Sequence, residues 1–215
     1  MRISRRLGAL VAGAGLAGAT ILAAPPAMAS TGDRSSTGDR SLAARLTADG
    51  NKFDRNARDY DVVTEAVLAV LAAKPSSPVA VLADGSVPLT AFLPNDQAFR
   101  FLVKDLTGRW VRSEKAVFEA VAGLGIDTVE TVLLYHVVPG VTITKAQARR
   151  SGGATLTTAQ GGTIRVRVPF RSVPLVILKD ADRNDADPFV VRFNINKGNP
   201  QIAHGITLVL RPADL

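Results

Sequence analysis

Two stretches, LTAFLPNDQAF (89–99) and LLYHVVPG (133–140), decide how this chain is read. In each, an apolar run ends at a corner that carries polar side chains. Phe92, Leu93 and Phe99 flank Asn95 and Asp96 in the first, and Leu133 and Leu134 lead to Tyr135 and His136 in the second. Asn95 and Asp96 stand where a strand gives way to a helix, the place where short polar side chains satisfy a helix's free N–H groups. Burying Phe92 and Phe99 contributes roughly 1.5–3 kcal/mol each. His136 closes an apolar run, so its imidazole is expected to be partly buried and therefore hydrogen-bonded. Asp96 and His136 lie 40 residues apart. A bond from His136 to Asp96, or to backbone beside it, is expected to tie the two corners together.

Outward from these corners the pattern runs helices first and strands after. Asp61 is predicted to cap a helix reaching about residue 73, with Val63, Ala66, Val67, Val70 and Leu71 at helical spacing and Pro75 and Pro78 as its stop. Further helices are predicted from Asn95 to Gly108, from Ser113 to Gly123, and from a cap at Asp127 to His136. Residues 79–82 are a short apolar run, and 88–93 read as a strand leading into the first corner. After Gly140 the strand candidates are 141–144, 154–158, 162–168, 173–179, 189–195 and 202–210, with one helical turn before Arg149. This order predicts an α+β fold with an antiparallel sheet, not a βαβ repeat.

The N-terminus reads as an export signal at 1–29. Arg2, Arg5 and Arg6 precede a run rich in Ala, Gly and Leu, and Ala27-Met28-Ala29 is a cleavage site that would leave Ser30 first. Ser4-Arg5-Arg6-Leu7 leaves twin-arginine export open beside the general route. Pro25-Pro26 ends the run, which favours cleavage over a membrane anchor. Cleavage takes the formal charge from +7 to +4; that mild excess speaks to solubility and association and is no sign of nucleic-acid binding. The chain has no cysteine, so stability is expected from burial alone. Residues 30–58, which open with STGDRS twice, read as a flexible polar tether, and the domain is placed at 59–215.

The corners and their order resemble the fasciclin-type (FAS1) domain. Phe92, Pro94, Asp96, Ala98 and Phe99 match the first family box, and Leu134, Tyr135, His136, Val137, Pro139 and Gly140 the second. Residues 202–210 stand at the third, with His204 in place, Thr207 where the family has Asp, and Asn199-Pro200 in place of Asn-Gly. The resemblance implies an antiparallel β-wedge or sandwich with a layer of several helices. It also implies a secreted, non-enzymatic interaction module without a cofactor, serving cell adhesion or the binding of extracellular macromolecules. The partner would be a protein or a surface polysaccharide or glycopolymer, with no nucleic acid and no stable membrane anchor. In animal members sequences around Tyr-His are linked to integrin binding, which makes Asn95, Asp96, Tyr135 and His136 structural residues or a partner-binding site. The alternative is a cell-wall carrier of a small apolar or anionic ligand held between helices and sheet.

Two histidines and the lack of a Gly-x-Ser-x-Gly elbow argue against a hydrolase, although His136, Asp96 and Ser113 can be arranged on paper. The acidic run 180–187 fails the EF-hand pattern, because Asp185 sits where Gly is needed and Val191 where the bidentate Glu belongs. It reads as a solvated turn. On the strand 163–168, Ile164, Val166 and Val168 alternate with Arg165 and Arg167, and Arg171 continues the polar face with Arg149 and Arg150 nearby. That face is a solvated edge or a patch for an anionic polymer. Trp110, between Arg109 and Arg112, is a core-edge residue or an exposed contact.

Overall fold

The computed structural model describes residues 38–50, 52–170 and 172–213; the expected signal at 1–29 and Arg171 lie outside them. The fold is built around β1 (Leu89–Pro94), which is buried at all six positions. A strand buried on both faces cannot show apolar–polar alternation, and LTAFLP does not. Leu89, Ala91 and Leu93 face one core, shared with the helices, and Phe92 faces a second core between two sheets.

The first sheet has the order β2–β1–β7–β6, with β2 at Val137–Pro139, β6 at Val190–Ile195 and β7 at Gln201–Ile206. β1 runs parallel to β7, from Leu89 opposite Gln201 to Pro94 opposite Ile206. The other pairings in this sheet are antiparallel. A wholly antiparallel sheet is therefore corrected to a mixed one. β7, also buried throughout, lies beside β1 as a second two-faced strand. The smaller sheet, β3–β4–β5 at Thr155–Thr157, Thr163–Arg167 and Ile177–Lys179, is antiparallel and packs Ile164, Val166 and Leu178 against Phe92 and Ile206.

The helical layer holds α1 (Leu42–Leu46), α2 (Asp61–Ala73), α3 (Asp96–Thr107), α4 (Glu114–Ala122) and α5 (Ile126–Tyr135). A short α6 (Lys145–Ala148), fixed by a Thr144–Gln147 capping box, lies between the sheets' strands in sequence. Several local expectations change. Residues 79–82 fall in a 3₁₀ helix (Pro78–Ala83). No strand forms at 141–144; it forms one turn earlier, inside the second corner. α2 has Tyr60 at its cap position and α5 has Gly125, so Asp61 and Asp127 are first-turn residues instead of caps.

The tether is also corrected. Leu42 is fully buried and Leu46 nearly so, and both belong to the helical core. A buried amide holds them there: Gln201 Oε1 accepts from Leu42 N at 2.8 Å, while Nε2 donates to Val81 O and Asp84 O, each at 2.7 Å. Upstream, Arg40 N donates to Asn199 Oδ1 (2.9 Å) and Asn196 Nδ2 donates to Arg40 O (2.7 Å). Gly85 admits this strap, because a Cβ there would meet Asp39 O at 1.6 Å. The folded domain thus includes residues from 39 onward, some twenty residues before the point that composition suggests, and the part of the expected tether at 30–37 lies outside the described residues.

Leu42→Ala is expected to destabilise the domain by about 2–5 kcal/mol, the range for a truncated core leucine. Urea unfolding measures it, and a change within experimental scatter would mean that the strap is not part of the cooperative unit.

Candidate functional site

At the first corner Asn95 caps α3, its Oδ1 accepting from Ala98 N at 2.9 Å. Asp96 turns away from its own helix. Its Oδ1 accepts from Val62 N (2.9 Å) and its Oδ2 from Asp61 N (3.3 Å), so it caps α2 from across the core. The backbone reinforces this joint, with Asp96 N donating to Asp59 O and Gln97 N to Ala57 O.

The Asp96 carboxyl is fully buried and has acidic neighbours. Oxygens of Asp59, Asp96 and Glu114 lie within 4.8 Å of one another. Burial first, then the Asp59 carboxyl, raise Asp96 above its ordinary range. Among the described residues the buried Asp59 Oδ1 has no hydrogen-bond partner. Glu114 is raised by burial and opposed by Arg100, whose Nη2 lies 3.0 Å from Oε1; Asp54 N donates to Oε2. This spacing would also suit a cation. However, amide donors and a guanidinium already occupy Asp96 and Glu114, and a bound cation would sit against Arg100. A second acidic group with that spacing is Asp54, Asp59 and Asp61. Glu114 and Arg100 have no sequence signal, since a first-turn glutamate and a helical arginine are ordinary.

At the second corner Tyr135 and His136 are both buried. Tyr135 Oη donates to Thr163 O at 2.7 Å, pinning the smaller sheet, and burial pushes its pKa up to about 12. Its ring lies so close to Gly162 that a Cβ there would stand 2.9 Å from Cε2. His136 does not bond to Asp96. Its Nδ1 lies 2.7 Å from Val132 O, and its Nε2 accepts from Leu210 N at 2.9 Å. The proton is therefore on Nδ1. The corners are joined by backbone instead, with Phe92 N donating to His136 O at 2.9 Å.

His204 has the opposite tautomer. Its Nδ1 accepts from Asn194 N (3.2 Å), so Nε2 carries the proton and donates to Ile143 O (2.8 Å). Beside it, Gly205 leaves room for Tyr60 Oη, which would lie 2.1 Å from a Cβ. Thr207, in the family's Asp position, accepts from Phe189 N at 3.1 Å. Burial lowers both imidazoles, His136 to about 4. With both nitrogens of each ring engaged by backbone, neither can take a proton from a serine without breaking a buried bond.

Of the two expected roles for Asn95, Asp96, Tyr135 and His136, structural or partner-binding, this geometry fits the structural one: Asp96, Tyr135 and His136 are buried, and Asn95 is half-buried at its cap. The acidic run is exposed over much of its length, as a solvated turn would be, but it is also anchored to the core edge. Arg211 pairs with Asp105 (2.9 Å), Asp182 (3.4 Å) and Asp185, its N–H donates to Asp180 Oδ2 (2.9 Å), and Asp182 is buried. Arg165 and Arg167 are exposed on β4, as the alternation requires. Trp110 is exposed and meets the exposed Phe101 edge-on at 5.5 Å.

Two measurements check this geometry. Nitrogen-resolved NMR should find His136 neutral at pH 6 and both imidazoles neutral at pH 8, protonated at Nδ1 for His136 and at Nε2 for His204; matching tautomers would contradict the bonding. The unfolded Asp96 carboxyl ionises near pH 4, while the folded one holds its proton longer, so its burial costs stability increasingly as pH rises above about 4. Asp96→Asn keeps an acceptor for Val62 N and cannot ionise. Its stability relative to the natural protein should improve from pH 5 to pH 8; a constant difference would show that Asp96 ionises normally.

The fasciclin domain family pattern matches residues 64–212, a span that takes in both corners and the closing strand. Among solved structures, the chain is similar to the FAS1 domain pair from the insect cell adhesion molecule fasciclin I, with a TM-score of 0.52 and 17% identity over 80% of this chain. The chain spans 50% of that pair's length. Curated proteins give no significant match. The insect likeness concerns the fold alone, while the family pattern covers most of the helices, all three boxes and both sheets: the chain belongs to the fasciclin domain family.

Proposed function

We propose that this protein is an exported, non-catalytic interaction module that holds to macromolecules outside the cell. One observation carries the reading: the boxes' polar groups are turned inward, while an aromatic pair stands outside. Phe101 and Trp110 are each more than two-fifths exposed, and Lys104 lies 5.9 Å from the Trp110 ring centre. Aromatic side chains backed by a cation are what contact surfaces favour. Phe101 also borders a groove of about 350 Å³ with Leu102, Leu208 and Arg211 on its walls. Export rests on the 1–29 signal, and among the described residues no helix is long and apolar enough to cross a membrane.

The carrier reading has less support. Between helices and sheet, the cavity lined by Val63, Ala66, Phe99, Leu102, Leu133 and His136 is about 20 Å³. That is room for a single water, not for a ligand.

Purified protein immobilised on a surface should retain cell-envelope fragments of the producing organism. Phe101→Ala with Trp110→Ala should reduce retention about tenfold, the loss expected when a central aromatic anchor is removed. Retention unchanged by the pair would overturn the assignment of this surface, and no retention by the natural protein would overturn the module reading itself.

A further inference from the structure

The charge of this chain is segregated. Between Glu130 and Asp180 there is no acidic residue, yet the segment holds Lys145, Arg149, Arg150, Arg165, Arg167, Arg171 and Lys179. These seven cations equal the whole formal charge of +7; the rest of the chain balances 19 cations against 19 acids. Folding gathers several of them. An open groove of about 780 Å³ runs between the end of α6 and the end of β4, with Arg149, Arg150 and Arg167 on its walls and Gly152 and Gly153 on its floor.

The groove is built on fixed backbone. The capping box sets α6, and Ala148 is buried beneath it. Arg150 N donates to Gln147 O, and Ser151 Oγ donates to Ala148 O. Gly153 N donates to Val166 O at 2.9 Å, and Val166 N donates to Ala154 O at 2.8 Å, which clips the loop to β4. The floor requires glycine at two places: Gly153 has φ +90°, and a Cβ on Gly152 would press to 3.3 Å from Val168 Cβ. Among the described residues no carboxylate pairs with Arg150, Arg165 or Arg167. The outward face of the small sheet extends the track, since Arg165 stands opposite Lys179 on β5 and two residues before Arg167, about 7 Å along the strand.

We propose that this groove and the adjoining face of β4 and β5 bind an acidic polysaccharide, its carboxylates pairing with Arg150, Arg167 and Arg165. This names a partner class for the interaction-module reading, at a surface separate from Phe101 and Trp110. A guanidinium fork matches a carboxylate in two places, and a row of cations along a strand suits a repeating anion better than a single ion. A single-stranded nucleic acid is disfavoured because such grooves interleave cations with aromatic platforms for the bases, and no aromatic side chain lines this one.

The test uses purified protein and polygalacturonate, with neutral dextran and oligo-dT as comparators, followed by calorimetry at low and high salt. Polygalacturonate should bind and weaken with salt, and dextran should not bind. Arg150→Ala with Arg167→Ala should lose about tenfold or more in affinity. Arg109→Ala with Arg112→Ala removes the same charge from two exposed arginines outside the groove and should lose less than about twofold. Circular dichroism confirms that each variant is folded. Equal losses from the two pairs would reduce the effect to net charge and overturn the site. Oligo-dT binding as tightly as polygalacturonate would overturn the ligand class. If polygalacturonate fails while envelope retention persists, the groove assignment falls and the module reading stands; if both fail, both fall.

Discussion

A neutral, buried imidazole holds the three boxes in one place. His136 reaches back to Val132 in α5 through Nδ1, forward to Leu210 beyond β7 through Nε2, and to Phe92 in β1 through its own carbonyl. These segments are far apart in sequence, and each contact uses a backbone group that would otherwise be unsatisfied in an apolar interior. An ionised ring would turn the Nε2 acceptor into a donor facing the Leu210 N–H. The interior therefore has to keep this ring uncharged, and its lowered pKa follows from the same burial that makes the bonds worthwhile.

From that joint the division between inside and outside follows. β1 and β7 are wrapped on both faces, so the polar side chains they carry, Thr90, Gln201 and His204, are bound inside. Thr90 Oγ1 donates to Val141 O and accepts from Ile143 N, which seats the chain after β2. Gln201 seats the N-terminal strap. With so much of the polar inventory of the boxes committed to the interior, the outer surface takes its character from the periphery: the aromatic pair of Phe101 on α3 and Trp110 after it, and the acid-free segment that builds the small sheet.

How much of this was legible in sequence depends on the range of the interaction. Asn95 is a local cap, and a polar residue at a strand-to-helix corner is enough to find it. Asp96, one residue later, looks like part of the same cap, yet it serves α2, 34 residues upstream at Val62; no local pattern marks a cap supplied from another helix. The β4 alternation placed Arg165 and Arg167 outside correctly because a half-buried strand has a period of two. The strap was misread because the residues that hold it, Gln201, Asn196 and Asn199, lie about 160 residues away and its own composition is that of a linker. The parallel β1–β7 pair was missed because running helices before strands suggests neighbours paired by hairpins, whereas β7 returns to lie beside the first strand of the sheet.

The buried titratable groups oppose one another in sign. Between about pH 4 and 6.5, unfolded histidine binds a proton that folded His136 refuses, so this term raises stability as pH rises. Over the same range folded Asp96 keeps a proton that the unfolded chain has released, and Asp180, raised by burial to about 6, does likewise, so these terms lower it. His204 adds to the first set and Glu114 to the second. The two sets therefore act in opposite directions across mild acid. Carboxyls and imidazoles buried in one core thus pull stability in opposite directions with pH, each being held in its neutral form by burial.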